Sequence, residues 1–322
     1  MQLLKNKQKT IVILLLLGVV IGLIYFKISQ IQTPTINPQL QQPINKEAVS
    51  QYKQPENQST TFNNQTIPSN IKTYKQSPQT FDFKYVKDVF SSLGYSNPKT
   101  QNNLIFTEDL DKKTMLLANL KTRTLIYSRQ YSQNPKLPGE YLKIAEQEIK
   151  RFIGNSQIWE NPQHFIENNS KESIIIHFFP TINNYRITTS SSPPIGDNGV
   201  IKVTFYPQTK KITSNIEYID INQSDSAQIS LKGVSQVEAD IANNQSITTA
   251  IHLSSNQDEN YYQKPHDVKN AVFNEFEIMY LYNHQDPTNY LRPIVLAEGQ
   301  TIIETGEKAT IKTLLDLTKQ NN

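Results

Sequence analysis

The chain has 322 residues, 37% of them hydrophobic and 19% charged, with a formal net charge of +3 and no cysteine. It carries enough apolar material for a packed core, and the lack of cysteine excludes disulfides, thiolate catalysis, cysteine-ligated metals and a lipidated cysteine. So small a net charge also leaves no basic footprint for nucleic acid.

In chain order the first feature is Ile11–Phe26, IVILLLLGVVIGLIYF, without a charge, an amide or a proline. As a helix rising about 1.5 Å per residue it reaches roughly 24 Å, the short end of what crosses a hydrocarbon core of about 30 Å. Lys5, Lys7 and Lys9 precede it and Lys27 follows. That bias predicts a cytoplasmic tail (1–10), a single-pass transmembrane anchor (11–27) and an extracytoplasmic remainder in the cell membrane. A cleaved secretory signal is the rival reading; the terminal Tyr25-Phe26 and the missing A-x-A-like site favour retention of the anchor.

Residues 28–80 read as a disordered Gln/Asn/Pro-rich linker. Their apolar residues are too sparse to offset the entropy of ordering, and Pro34, Pro38, Pro43, Pro55, Pro68 and Pro78 interrupt helix and ladder alike.

Beyond the linker the pattern becomes periodic, and three units are expected. A first small α+β module (81–137) opens with a helix over Phe83–Leu93, where Val86, Val89, Phe90 and Leu93 share a face and Gly94 is the C-cap. Strands are predicted at 103–107, 114–120 and 124–131. A second module (138–230) has the helix EYLKIAEQEIKRFI closed by Gly154, then strands at 172–179, 184–189, 199–206 and 211–221. A third (231–322) has a helix over Ser235–Ala242 with Ser235 and Glu238 as a capping box. Strands follow at 247–253, 268–283 and 291–298, and 309–317 reads as strand or helix. The expected fold class is therefore α+β: an N-terminal transmembrane helix, a disordered tether, then repeated helix plus antiparallel β-meander modules.

The helix GEYLKIAEQEIKRFIG, the strand ending FFPTINNYRI, the stretch GVIKVTFYPQTKKITSNIEY, the helix VSQVEADIA and the pair EIMYLYNHQDPTNYLRPIVLAEG carry a family resemblance. Over about residues 138–317, including Tyr290-Leu291-Arg292-Pro293, they resemble the PepSY-like modules of YycH/YycI-type membrane-anchored extracytoplasmic regulators. The resemblance implies a regulatory role in a cell-envelope signalling or wall system, with an envelope protein or peptide, such as a sensor kinase, as partner. It brings no catalytic signature.

Chemistry-bearing motifs are few. There is no P-loop, dinucleotide fingerprint, HExxH or GxSxG. Ser69-Asn70-Ile71-Lys72 matches S-x-x-K, but it lies in the linker without a following K-T-G. His164, His177, His252, His266 and His284 lack metal-ligand spacing; His266-Asp267 and His284-Gln285-Asp286 offer ligand pairs where zinc takes three or four protein ligands. Glu108, Asp109 and Asp111 are followed by Lys112 and Lys113, as in a solvated turn. Aromatic residues gather late in the chain, with Phe276, Ile278 and Tyr280 on one strand face and Glu275, Glu277 and Met279 on the other. No catalytic, cofactor-binding or metal residue is assigned and no cofactor is expected. Two function classes stand: a non-catalytic interaction or regulatory module using an aromatic face or a free strand edge, and an envelope hydrolase pairing Glu217 or Asp220 with Glu275 or Glu277.

Overall fold

The computed structural model describes residues 52–77, 81–109, 113–153, 156–167, 172–190, 195–253, 267–284 and 289–319. Strand content is 51% and helix content 16%, so strand pairing rather than helix packing organises the chain. From the N-terminal side come β1 (Asn57–Thr60), β2 (Asn70–Gln76), helix α1 (Phe83–Ser92), β3 (Lys99–Gln101), β4 (Leu104–Asp109), β5 (Thr114–Asn119) and β6 (Thr124–Gln130). Helix α2 (Pro138–Ile153) leads to β7 (Gln163–Glu167), β8 (Ile174–Phe179), β9 (Thr181–Ile182), β10 (Tyr185–Thr189), β11 (Ile201–Tyr206), β12 (Lys211–Glu217) and β13 (Ile221–Ser230). Helix α3 (Val234–Ala242) precedes β14 (Ile247–Leu253), β15 (Val268–Tyr282), β16 (Arg292–Ile303) and β17 (Lys308–Asp316).

Eight strands form an antiparallel sheet in the order β3-β4-β5-β6-β12-β11-β8-β7. Helices α1 and α2 lie on one face of it. The Asp82 carboxylate caps α1 by accepting the Tyr85 N–H at 2.8 Å, and Val86 and Phe90 face the sheet. In α2, Tyr141, Ile144, Ala145 and Ile149 recur at helical spacing and meet Tyr127, Ile176, Val203 and Phe205. Glu148 on the same helix face is buried against Arg129 of β6, 2.5 Å from its guanidinium.

A second sheet runs β14-β17-β16-β15-β10-β9, with β1 also paired to β15. Both β10 and β1 are parallel to β15, at opposite ends of the same edge. Between them the Gln65 side chain occupies the missing position: Nε2 donates to the Phe276 carbonyl at 3.1 Å, and Oε1 accepts the Phe276 N–H at 3.0 Å. A ribbon of β2 and β13 closes over one face, where Ile71, Tyr74, Ile229, Val237 of α3, Phe273, Tyr280 and Val295 share a core. On the other face Ile195, Ile247, Met279, Leu281, Ile294, Leu296 and Leu314 pack together.

Three expectations are corrected. The repeated α+β modules give way to a mostly β fold, because β6 and β12 pair over seven residues and merge the strands that follow α1 and α2 into one sheet. The last unit is no meander either, since β14 pairs with β17. The disordered tether is overturned where it falls on described residues: 52–77 hold β1 and β2, whose polar side chains find partners in distant strands, while the rest of 28–80 lies outside them. The single-pass membrane placement is corrected as well: among the described residues no helix is long and apolar enough to cross a membrane, and the run 11–27 lies outside those residues. Of the smaller expectations, 309–317 is strand β17, and α3 begins after Gly233 without a side-chain cap, not at a Ser235 capping box. The Gly154 cap lies outside the described residues.

Gly299 sits where β15 bulges between Phe273 and Glu275. A Cβ there would collide with the Val272 carbonyl and lie 2.7 Å from Phe273 Cα, both backbone atoms that cannot step aside. Gly299→Ala is expected to destabilise the chain by at least about 2 kcal/mol in urea titration, whereas Gly233→Ala, with open space around its Cβ position, changes the midpoint little.

Candidate binding groove

At the end of the seven-stranded sheet where β15 starts and β16 finishes, an open groove of about 1070 Å³ is lined by both strands, by Lys53–Glu56 and by the turn into β17. Local strand geometry sets which side chains enter it. The register shift between Val268 and Ala271 turns Ala271 and Phe273 inward, leaving Asn270 and Val272 outward; on β16 Gln300 and Ile302 face out while Thr301 and Ile303 face in. Val272 is 44% and Ile302 57% exposed, two aliphatic side chains turned to solvent beside the polar Asn270 and Gln300.

The polar groups around them are orderly. Asn57 Nδ2 donates to Asn270 Oδ1 at 3.2 Å, forming an amide rung across β1 and β15. The Thr301 hydroxyl donates to the Asn270 carbonyl at 2.6 Å and is thereby engaged. At the mouth, Lys53 Nζ donates to Asp267 Oδ1 at 2.8 Å, a hydrogen bond that raises the lysine above its usual range. Lys269, Lys308, Glu56 and Glu304 complete a rim of mixed sign. Exposed aliphatics, paired amides and balanced charge suit recognition of a polypeptide. The lining residues hold no nucleophile and base within reach of each other.

The residues singled out in the sequence lie elsewhere. Glu217 is buried at the junction of the two sheets, where Thr189 Oγ1 donates to its Oε2 at 2.7 Å and His284 Nε2 approaches its Oε1 at 2.5 Å. That approach is too oblique for a linear hydrogen bond, so it is an electrostatic contact. Arg123 Nη1 donates to the Tyr282 hydroxyl at 3.2 Å in the same cluster, and burial raises that phenol. Glu277 instead holds Arg186 through both carboxylate oxygens, with Arg186 over the Phe179 ring. Thr189 lies opposite Tyr282, five residues beyond Glu277, so Glu217 and Glu277 are roughly 17 Å apart along the strand. Glu275 is farther still. A two-carboxylate hydrolase needs about 5 to 9.5 Å. Asp220 lies at the sheet junction with Glu217, its carbonyl accepting the Ser77 N–H at 2.9 Å.

Among the described histidines, buried His177 accepts the Gly199 N–H on Nδ1 at 3.2 Å, donates from Nε2 to Glu167 at 3.0 Å and stacks on Phe165. His164 lies near the Phe178 ring. His266, Asp286 and Asp111 lie outside the described residues, and no group of three or more metal-ligating side chains occurs among the described ones. Ser69 and Lys72 are exposed at the start of β2, with Lys72 directed over the Tyr74 ring. Phe178, Phe179, Phe205, Phe273, Tyr280 and Tyr282 are fully buried core, not a binding face. The groove residues Asn270, Val272, Gln300 and Ile302 were missed, although adjacent Ile302-Ile303 in a strand must place one aliphatic on each face.

No family model, curated protein or solved structure matches this chain.

On the same face of the seven-stranded sheet as Gln300 and Ile302, Asp197 bonds His252 Nε2 at 2.9 Å and also Lys312 Nζ, which in turn reaches Glu298 at 3.2 Å. Burial alone would raise the Asp197 carboxyl, but the His252 and Lys312 contacts outweigh it and hold the group below 3.8. Its contribution to stability is therefore full above the unfolded value of about 3.9 and is lost as pH falls through the lower folded value. The stability advantage over Asp197→Asn, about 2 kcal/mol near neutrality, is expected to shrink progressively below about pH 4 in urea midpoints measured across pH.

Proposed function

We propose that this chain is a non-catalytic binding protein that docks an extended segment of another polypeptide in the groove at the β15–β16 end. The exposure of Val272 and Ile302 on the floor of that groove carries the reading. Covering each aliphatic side chain contributes about 2 kcal/mol to a complex. Asn270 and Gln300 supply donors and acceptors for a partner's main chain, and the mixed rim favours a segment bearing both charge signs over a polyanion. The resemblance of residues 138–317 to YycH/YycI-type regulators supports a regulatory use of the contact, with a sensor kinase or another regulatory protein as the partner class.

The test is a peptide array probed with the full chain, followed by titration of the strongest binder. Ile302→Glu is expected to weaken binding by at least about tenfold, and Tyr206→Ser on the eight-stranded sheet to leave it unchanged. An array without binders, or binding indifferent to both Ile302→Glu and Val272→Asp, defeats the proposal. Release of soluble fragments from a glycan polymer, abolished by Glu217→Gln, would put a hydrolase in its place.

A further inference from the structure

Helices α1 and α2 cover one face of the eight-stranded sheet and leave the other without a helix. Register places Phe106, Leu117, Ile126 and Asn215 side by side on that uncovered face, in successive strands β4, β5, β6 and β12. Leu104 and Met115 lie on the same face in the adjoining rows. Their in-strand neighbours Ile105, Leu116, Ala118, Leu125 and Tyr127 point to the helix side and are buried, whereas Phe106, Leu117 and Ile126 are half-exposed, Met115 is 38% exposed, and none belongs to a core cluster. A sheet normally turns polar side chains to solvent on such a face. Here its centre is apolar.

We infer that this face is a self-association surface, taking the same face of a second copy of the chain as two layers of a sandwich. The charges around the patch favour that occupant. Glu108 at the end of β4 and Lys211 at the start of β12 are both exposed and lie at the same end of the face, lining a depression of about 350 Å³. A two-fold axis running along the strands between β5 and β6 exchanges β4 with β12. It brings Glu108 of each copy over Lys211 of the other, one row apart and within a lysine's reach. The same operation sets Leu117 over Ile126 of the other copy, apolar on apolar. One surface thus carries both halves of its own complement, as an isologous contact requires.

The area is adequate. The strands from β3 to β11 are about 4.8 Å apart and, apart from the three-residue β3, about six residues long; without the corner at Glu217, where the second sheet meets this face, they offer roughly 520 Å² of projected face per copy. Two copies exceed the about 1,000 Å² of a specific interface, near the low end of the standard class, which fits a reversible dimer. Sheets facing each other with strands aligned within about 30° satisfy the packing of twisted sheets.

The experiment is sedimentation velocity of the full chain across a wide concentration range, with a charge-reversal cycle. The parent chain is expected to show a concentration-dependent monomer–dimer equilibrium. Glu108→Lys and Lys211→Glu should each weaken it by roughly tenfold, and the double variant should recover most of the loss. Because the chain has no cysteine, mixing Leu117→Cys chains with Ile126→Cys chains reads the register directly: stacked sheets lie about 10 Å apart, too far for a disulfide, so a short bis-maleimide is used, and it should join the mixed pair faster than either like pair. A chain that stays monomeric, a dimer indifferent to both reversals, a double variant no better than the singles, or no preference for the mixed cross-link overturns the inference. A monomer whose Leu117 face is instead captured by a different protein overturns it too.

Discussion

The backbone of β15 must find a hydrogen-bond partner on both edges along fifteen residues, and most of the chain is arranged to supply them. One edge takes β16 throughout. The other is assembled from remote pieces: β1 at residues 270–273, the Gln65 amide at Phe276 and β10 at residues 279–282. Each buried N–H or carbonyl left unpaired there would cost about 1–3 kcal/mol, which is why a side-chain amide closes the gap between two short parallel strands. The arrangement draws in the ribbon of β2 and β13 as well, since the Leu291 N–H donates to Tyr74 and the Asn283 N–H to Gln76 Oε1.

That constraint explains why much of the pattern was legible in the sequence while the pairing was not. Periodicity and capping place α1 and α2 within a residue or two, and β5, β6, β14 and β15 fall close to their expected spans. Those signals are local. Nothing local says that β6 pairs with β12, or that β10 leaves the neighbourhood of β8 and β11 to lie against β15, because such contacts depend on which edges remain unpaired once the other strands are in place. β7 and β13 escaped notice for a different reason: Gln163–Glu167 and Ile221–Ser230 carry polar residues at most outward positions, and their short apolar series do not rise above a loop.

The stretch 52–77 shows where composition misleads. Its apolar content is low, and such a segment normally cannot offset the entropy of ordering. Yet Gln58 is buried, donating to Asn244 Oδ1 at 2.6 Å and accepting from Ser246, while Gln54 accepts from Thr248 at 3.1 Å. The amides read as solvating are internal partners. A polar strand is ordered when another element presents complementary groups at its register, and Gln and Asn, holding both donor and acceptor, serve this purpose without a charge to desolvate. The candidate groove is built in the same way, which is why its polar residues resemble surface in the sequence and only the doublet Ile302-Ile303 stands out.

Ionisable side chains point in the same direction as the strands. Arg129 with Glu148, Arg186 with Glu277, and Asp197 with His252 and Lys312 each pair residues from different elements, and Glu217 meets Thr189 and His284 where the two sheets meet. A carboxylate already satisfied by a cation or a hydroxyl is poorly placed to exchange protons with a substrate, and removing one partner leaves the other buried and uncompensated. Such groups hold layers together. Trp159 packs against both principal cores beside this junction, so separating the sheets would strip apolar contact and expose the Glu217 cluster at once. The groove and the uncovered sheet face therefore lie on elements fixed to one another, and strands held rigidly in register can present Val272 and Ile302, or Phe106 and Leu117, with little ordering cost on binding.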